Sequence, residues 1–185
     1  MRQIQPEHDG SVASPKLEEA NWRDVVQDFV SQNPKARAID IARALGCTEA
    51  QALSTLSDVA WEISAGDLAR VLTEISSWER VMILVRNQDA VAEVEVPGEG
   101  GYVSGDWLNW IYEDYNLHIR IEATRQILAL VRPSKRGPTY SFNLVNREGL
   151  VFCRFYTRNQ RDSERFLALC RTYQPEGDGG LKSND

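Results

Sequence analysis

The chain has 185 residues, 42% hydrophobic and 26% charged, an ordinary globular usage that excludes wholesale disorder. Its 27 acidic and 21 basic side chains leave a net charge of −6, which argues against a general nucleic-acid binder, because such a surface must displace phosphate counterions. No apolar run reaches the ~20 residues of a membrane helix, Met1 to Gly10 lacks the apolar core of a secretory signal, and Cys47, Cys153 and Cys170 are spaced like reduced thiols, so a cytoplasmic protein without membrane contact is expected.

Residues 1–15 hold Pro6, Gly10, Ser11, Ser14 and Pro15 without periodicity and are expected to form a flexible tail, with His8 a bystander. Over 16–30, Leu17, Val25, Val26, Phe29 and Val30 recur at helical spacing beside Trp22, and Asn33-Pro34 stops the helix. A helix pair follows over 38–57, with Gly46 as the turn between its members. Thr48 and Gln51 have the spacing of a capping box at the start of the second helix. Residues 59–64 alternate like a strand. Gly66-Asp67 then opens a helix over 68–78, with Leu68, Val71, Leu72 and Ile75 on one face.

From Arg80 the chain turns rich in Val, Ile, Phe, Tyr and Trp. Strands are expected near 80–86, 90–96, 102–104, 107–112, 115–121, 126–132, 139–146 and 150–157, separated by short turns as in an antiparallel meander. Pro97 to Gly101 reads as one of its hairpin loops. A helix over 159–173 closes the chain, and 174–185 is expected to be a second flexible tail. The fold class is therefore α+β: a helical part (16–78) packed on a large antiparallel sheet with its closing helix (79–173), in one compact domain.

Few segments carry chemistry. The 38–57 pair has helix-turn-helix form, but its second helix contains neither Arg nor Lys, so a packing or protein-interaction role suits it better than DNA binding. Between Tyr115 and Ile121, alternation puts Leu117, Ile119 and Ile121 on one face and Asn116, His118 and Arg120 on the other. Taken as the non-core face of a central strand, this leaves His118 either an ordinary surface residue or a ligand. Arg86 ends a buried-looking strand and either caps the sheet edge or holds an anion. Arg154 lies inside an aromatic strand, where a charge must face solvent, an acid or a ligand carboxylate. Trp107, Trp110, Tyr112 and Tyr115 suit a core, an interface or a flat apolar ligand. The 107–112 strand has large apolar groups on both faces, and a second copy of the chain is expected to cover the exposed one. No nucleophile elbow, Walker loop or dinucleotide fingerprint is present.

Three stretches carry a resemblance: Leu84-Val85-Arg86-Asn87 with Ala90-Val91-Ala92-Glu93; Asn116-Leu117-His118-Ile119; and Ser141 to Gly149. In that order and spacing they resemble the haem-utilisation family of ChuX/HutX carriers, related to double-length haem-handling proteins in which a similar unit is repeated. The Ile41 to Gly46 segment fits the carrier branch, and the resemblance spans about residues 36–173. It implies an intracellular, homodimeric haem-binding protein that stores haem, moves it or hands it to a degrading partner. The rival implication is a haem-degrading enzyme fed electrons by a reductase partner; a regulatory or interaction module is the third reading. By resemblance His118 corresponds to a haem-iron ligand, Arg86 to a haem-contacting arginine that is His in some carriers, and Arg154 to a basic position, often Lys, on the haem-lining sheet. Tyr115, Asn116 and Arg120 accompany His118 as candidate haem contacts. Because position 86 is not histidine, the iron coordination is His118 alone, His118 with water, or a tyrosine such as Tyr115. Trp107 and Trp110 also stand where carriers often have a more polar, Asn-containing stretch.

Overall fold

The computed structural model describes residues 19–87, 89–112 and 115–173; the two expected tails, 1–15 and 174–185, lie outside the described residues. Five helices are described, α1 (Glu19–Gln32), α2 (Ala38–Leu45), α3 (Glu49–Thr55), α4 (Leu68–Ser76) and α5 (Gln160–Arg171). They flank nine strands: β1 (Val59–Ser64), β2 (Arg80–Arg86), β3 (Val91–Pro97), β4 (Gly101–Ser104), β5 (Trp107–Tyr112), β6 (Tyr115–Arg120), β7 (Gln126–Arg132), β8 (Thr139–Val145) and β9 (Val151–Thr157).

Local chemistry sets the helix boundaries. Gly46 ends α2 at φ 69°, a left-handed turn that costs glycine nothing. Thr48 Oγ1 accepts from the Gln51 amide at 3.1 Å while Gln51 Oε1 accepts from the Thr48 amide at 2.9 Å, the reciprocal capping expected from the sequence. Trp22 and Val26 of α1, Ile41 of α2 and Leu53 of α3 are buried against Leu128, Leu130, Val145 and Val151 on one face of the large sheet.

The strands do not form a single meander. Six of them build an antiparallel sheet in the order β1-β7-β8-β9-β2-β3, and three build a smaller one in the order β4-β5-β6. Pro97 to Gly101 is therefore not a hairpin loop: β3 and β4 lie in different sheets, and this segment carries the chain between them. A Cβ on Gly101 would lie 2.6 Å from the Trp110 ring, so the crossing needs a residue without one. Trp110 Nε1 in turn donates to the Pro97 carbonyl at 3.2 Å.

The core lies between the layers. Val81, Ile83, Ile127, Ala129, Phe142, Leu144, Cys153 and Phe155 of the large sheet meet α4, α5 and the inner face of the small sheet. Trp110 sits over Phe155 with ring centroids 5.6 Å apart, and Phe166 of α5 packs on Phe142 at 4.7 Å. Layers run from α1–α3 through the large sheet to a mixed layer of α4, α5 and the small sheet. No described helix is long and apolar enough to cross a membrane.

Candidate functional site

The outer face of the small sheet is the one the core leaves uncovered. Register pairs Tyr102 with Asn109 and Asn109 with His118, and in the neighbouring rows Trp107 with Arg120 and Ile111 with Asn116. Leu108, Trp110 and Ile119 point into the core and are buried, while Tyr102 (47%), Trp107 (39%) and Ile111 (44%) stay exposed. The strand with large apolar groups on both faces is thus present as expected. His118 stands on β6, an edge strand of the small sheet and not a central strand.

The imidazole is held in one tautomer. Asn109 Nδ2 donates to the Trp107 carbonyl at 3.2 Å, which assigns the other amide atom, Oδ1, as the acceptor facing His118 at 2.7 Å from Nδ1. Nδ1 therefore carries a proton, which leaves Nε2 as the ring nitrogen without a partner among the described residues. Asn109 is 6% exposed, so its position is fixed by burial as well as by hydrogen bonding. On the same face the Arg120 guanidinium lies 4.7 Å from the Trp107 ring centroid and reaches Glu122 only weakly, at 3.4 Å on the surface.

The six residues singled out in the sequence do not form one site. His118, Asn116 and Arg120 share the outer face of the small sheet. Tyr115 points inward against the core cluster. Burial first, and then the neighbouring Cys153 thiol, push its hydroxyl up to about 12. Tyr115 thus faces the core, away from the outer face that carries His118.

Arg86 and Arg154 lie on the opposite face of the large sheet, the side of α1–α3. With two packed sheets ~10 Å apart between them and His118, they do not meet it within one chain. Both engage Glu49 of α3, a carboxylate 1% exposed. Arg154 Nη2 donates to Oε1 at 3.0 Å; the Arg86 guanidinium and the Val151 amide, the latter at 3.0 Å, meet Oε2. Arg86 Nε also donates to the Val151 carbonyl at 3.0 Å. Of the options open for Arg154, the acid is the one found, and Arg86 is a tie between sheet and helix and not an edge cap. The triad pins α3 to β9 and β2.

Two participants escaped the sequence reading. Asn109 had a signal: only two residues separate the 107–112 and 115–121 stretches of the sequence, so an antiparallel pairing sets Tyr112 opposite Tyr115, and counting outward brings Asn109 opposite His118. Glu49 had none, because an acid in the first turn of a helix ordinarily serves the dipole from solvent.

Residues 61–169 match the family described as Haem utilisation ChuX/HutX. No curated protein matches the sequence. Among solved structures, the heme binding protein ChuX superposes with a TM-score of 0.66 at 18% identity, over 80% of this chain and 97% of that one. Holo-PhuS, a heme-binding protein from Pseudomonas aeruginosa, gives 0.72 at 21% identity over 90% of this chain and 49% of its own. The Escherichia coli O157:H7 heme degrading enzyme ChuS gives 0.63 at 20% identity over 80% of this chain and 47% of its own. The chain thus spans about half the length of the latter two, and at these identities the likeness is one of fold.

Proposed function

The chain belongs to the haem utilisation ChuX/HutX family, and on that premise we propose that it takes haem as cargo on the outer face of the small sheet. The observation that carries this reading is the His118–Asn109 pair, with Nδ1 committed at 2.7 Å and Nε2 free on an exposed aromatic face. A histidine ligand to iron needs a neutral ring with an available nitrogen, and a hydrogen bond on the other nitrogen orients it and raises its basicity.

The rest of the face fits the same cargo. Trp107, Ile111 and Tyr102 offer flat apolar surface to a porphyrin, and Arg120 supplies a cation for a propionate. Asn116 lies beside His118 on the rim. Arg86 and Arg154 serve the fold in this reading. Haem seated on an open sheet keeps one face in water, and a homodimer that brings a second copy over Trp107 and Ile111 covers it. The role is intracellular storage, trafficking or delivery of haem to a degrading partner, because no bound electron source is required for transfer.

The test is an absorbance titration of the protein and of His118→Ala with haemin. The parent should show a saturable Soret shift. The variant should bind at least about 10-fold more weakly, with a displaced Soret band and an unchanged far-UV circular dichroism spectrum. An identical spectrum and affinity in the variant would take His118 out of the site. Conversion of the bound spectrum to that of an opened porphyrin on adding a reductant would replace the carrier with an enzyme.

A further inference from the structure

The outer face of the small sheet holds half of the groups that one haem engages. Its rows pair Trp107 with Arg120, Asn109 with His118 and Ile111 with Asn116. His118 is the only histidine among the described residues, and Arg120 is the only arginine or lysine on this face. Arg120 stands two residues along β6 from His118, ~7 Å at the rise of a strand, so a flat ligand centred on His118 brings an edge group to Arg120.

Haem has two of each thing that this face has one of. Its iron carries an axial position on either side of the ring, its two propionates leave from one edge, and both of its flat faces are apolar. One copy of the chain supplies one ring nitrogen, His118 Nε2, one guanidinium, and one apolar wall of Trp107 and Ile111. That wall stays exposed, so a porphyrin lying on it keeps its far side open. Tyr102 lies on the same side of such a ligand as His118 and does not reach the opposite axial position.

The missing half is the same half again. A two-fold axis in the plane of the porphyrin, running between the propionates, exchanges the two faces of the ring, the two axial positions and the two propionates together. A second copy of the chain related by that axis presents its own His118, Arg120 and Trp107 where the first copy has nothing. A two-fold contact uses one self-complementary patch on both partners. Brought face to face alone, the two Arg120 side chains meet at one edge and repel; with two propionates between them, each has a partner. Arg120 is available for this, because its contact with Glu122 is 3.4 Å long and solvent-exposed.

We infer, resting on the haem reading above, that two copies of the chain share one haem, each supplying His118 as an axial ligand and Arg120 to one propionate. The site is complete only in the pair, and the cargo itself ties the copies together. Release follows from the same arrangement: separating the copies strips one ligand and one cation from the haem in a single step.

The test is an absorbance titration of the full chain, at known concentration, with haemin, followed by electron paramagnetic resonance and sedimentation of the saturated complex. The Soret change should end at one haem per two chains. The ferric complex should be six-coordinate and low-spin, and should sediment at twice the chain mass. Arg120→Gln should weaken haemin binding at least about 10-fold, and binding of haemin dimethyl ester by less than about 3-fold, because the ester has no propionate charge to pair. An end point of one haem per chain, a high-spin complex at saturation, or a complex that sediments as a single chain overturns the shared site while leaving haem binding in place. Equal losses for haemin and its ester in Arg120→Gln overturn the propionate pairing. Absence of any saturable Soret change overturns the haem reading, and the shared site with it.

Discussion

Replacing Asn109 by leucine isolates the orienting hydrogen bond from His118, the proposed iron ligand. The side chains are close in volume, and Asn109 is 6% exposed, so the substitution removes polarity more than it opens space. It deletes the acceptor 2.7 Å from His118 Nδ1 and the donor to the Trp107 carbonyl. Loss of an orienting partner behind a metal-bound histidine costs ~10–100-fold in affinity, about 1.4–2.7 kcal/mol. A plain hydrogen bond is worth ~0.5–1.5 kcal/mol, so the upper part of that range requires the ring to lose its fixed tautomer as well as its tether. Asn109→Leu should therefore raise the haemin Kd about 10–100-fold, by absorbance titration. Asn109→Asp keeps an acceptor, should lose less than about 3-fold, and should lower the midpoint potential of the bound haem because a charged acceptor makes the ring more electron-rich. Equal losses in the two variants, or parental affinity in Asn109→Leu, would refute the orienting role.

Glu49→Ala should destabilise the fold by about 3–5 kcal/mol in urea unfolding, since it leaves Arg86, Arg154 and the Val151 amide without their shared acceptor; a loss below ~1 kcal/mol would mean the triad is solvated. Tyr115→Phe should leave the Soret band of the haemin complex unmoved, because the phenol faces the core, away from the outer face of the small sheet; a shifted band would make Tyr115 a haem ligand. Only Cys47, half-buried, should react with iodoacetamide in the native protein. Cys170, pushed up to about 12 chiefly by burial, should stay unlabelled from pH 7 to 10, since a raised pKa delays the thiolate to higher pH; labelling of Cys170 in that range would contradict its burial. Sedimentation equilibrium at micromolar concentration should give twice the chain mass of 20.9 kDa, and the chain mass at every concentration would exclude the homodimer.

Periodicity carried the elements because each is amphipathic against a single layer. β7 reads Ile127-Leu128-Ala129-Leu130-Val131 and is buried on both faces, the mark of a strand between helices and a second layer. Strand order was not legible. β9 returns to pair with β2 and β1 pairs with β7, across long stretches of intervening sequence, and alternation constrains a strand's faces but not its neighbours. The second sheet was hidden for the same reason: Pro97 to Gly101 has hairpin composition, and only the fit of Gly101 beneath Trp110 shows the chain leaving one sheet for another. For the site, the face shared by Asn116, His118 and Arg120 followed from alternation alone. The fate of Arg86 and Arg154 did not, because their partner Glu49 is distant in sequence, on a helix whose docking no local pattern predicts.

The division into two sheets explains how one small chain can keep a rigid core and an apolar open face. Phe142, Phe155, Phe166 and Trp78 fill the space beneath the large sheet and need nothing from the outer face of the small one. The small sheet is anchored from below through Leu108, Trp110 and Ile119, so its upper side chains are free of packing duty while their backbone is held. That is what the proposed iron ligand, on an edge strand, would require: β6 bonds only β5 within its sheet, yet Ile119 fixes its depth and Asn109 fixes the ring of His118. The exposed Trp107 and Ile111 then cost the monomer hydrophobic surface left in water, a cost that a flat apolar cargo or a second copy recovers on binding. Destabilising the core should accordingly weaken haem and fold together, whereas changes on the outer face should separate them.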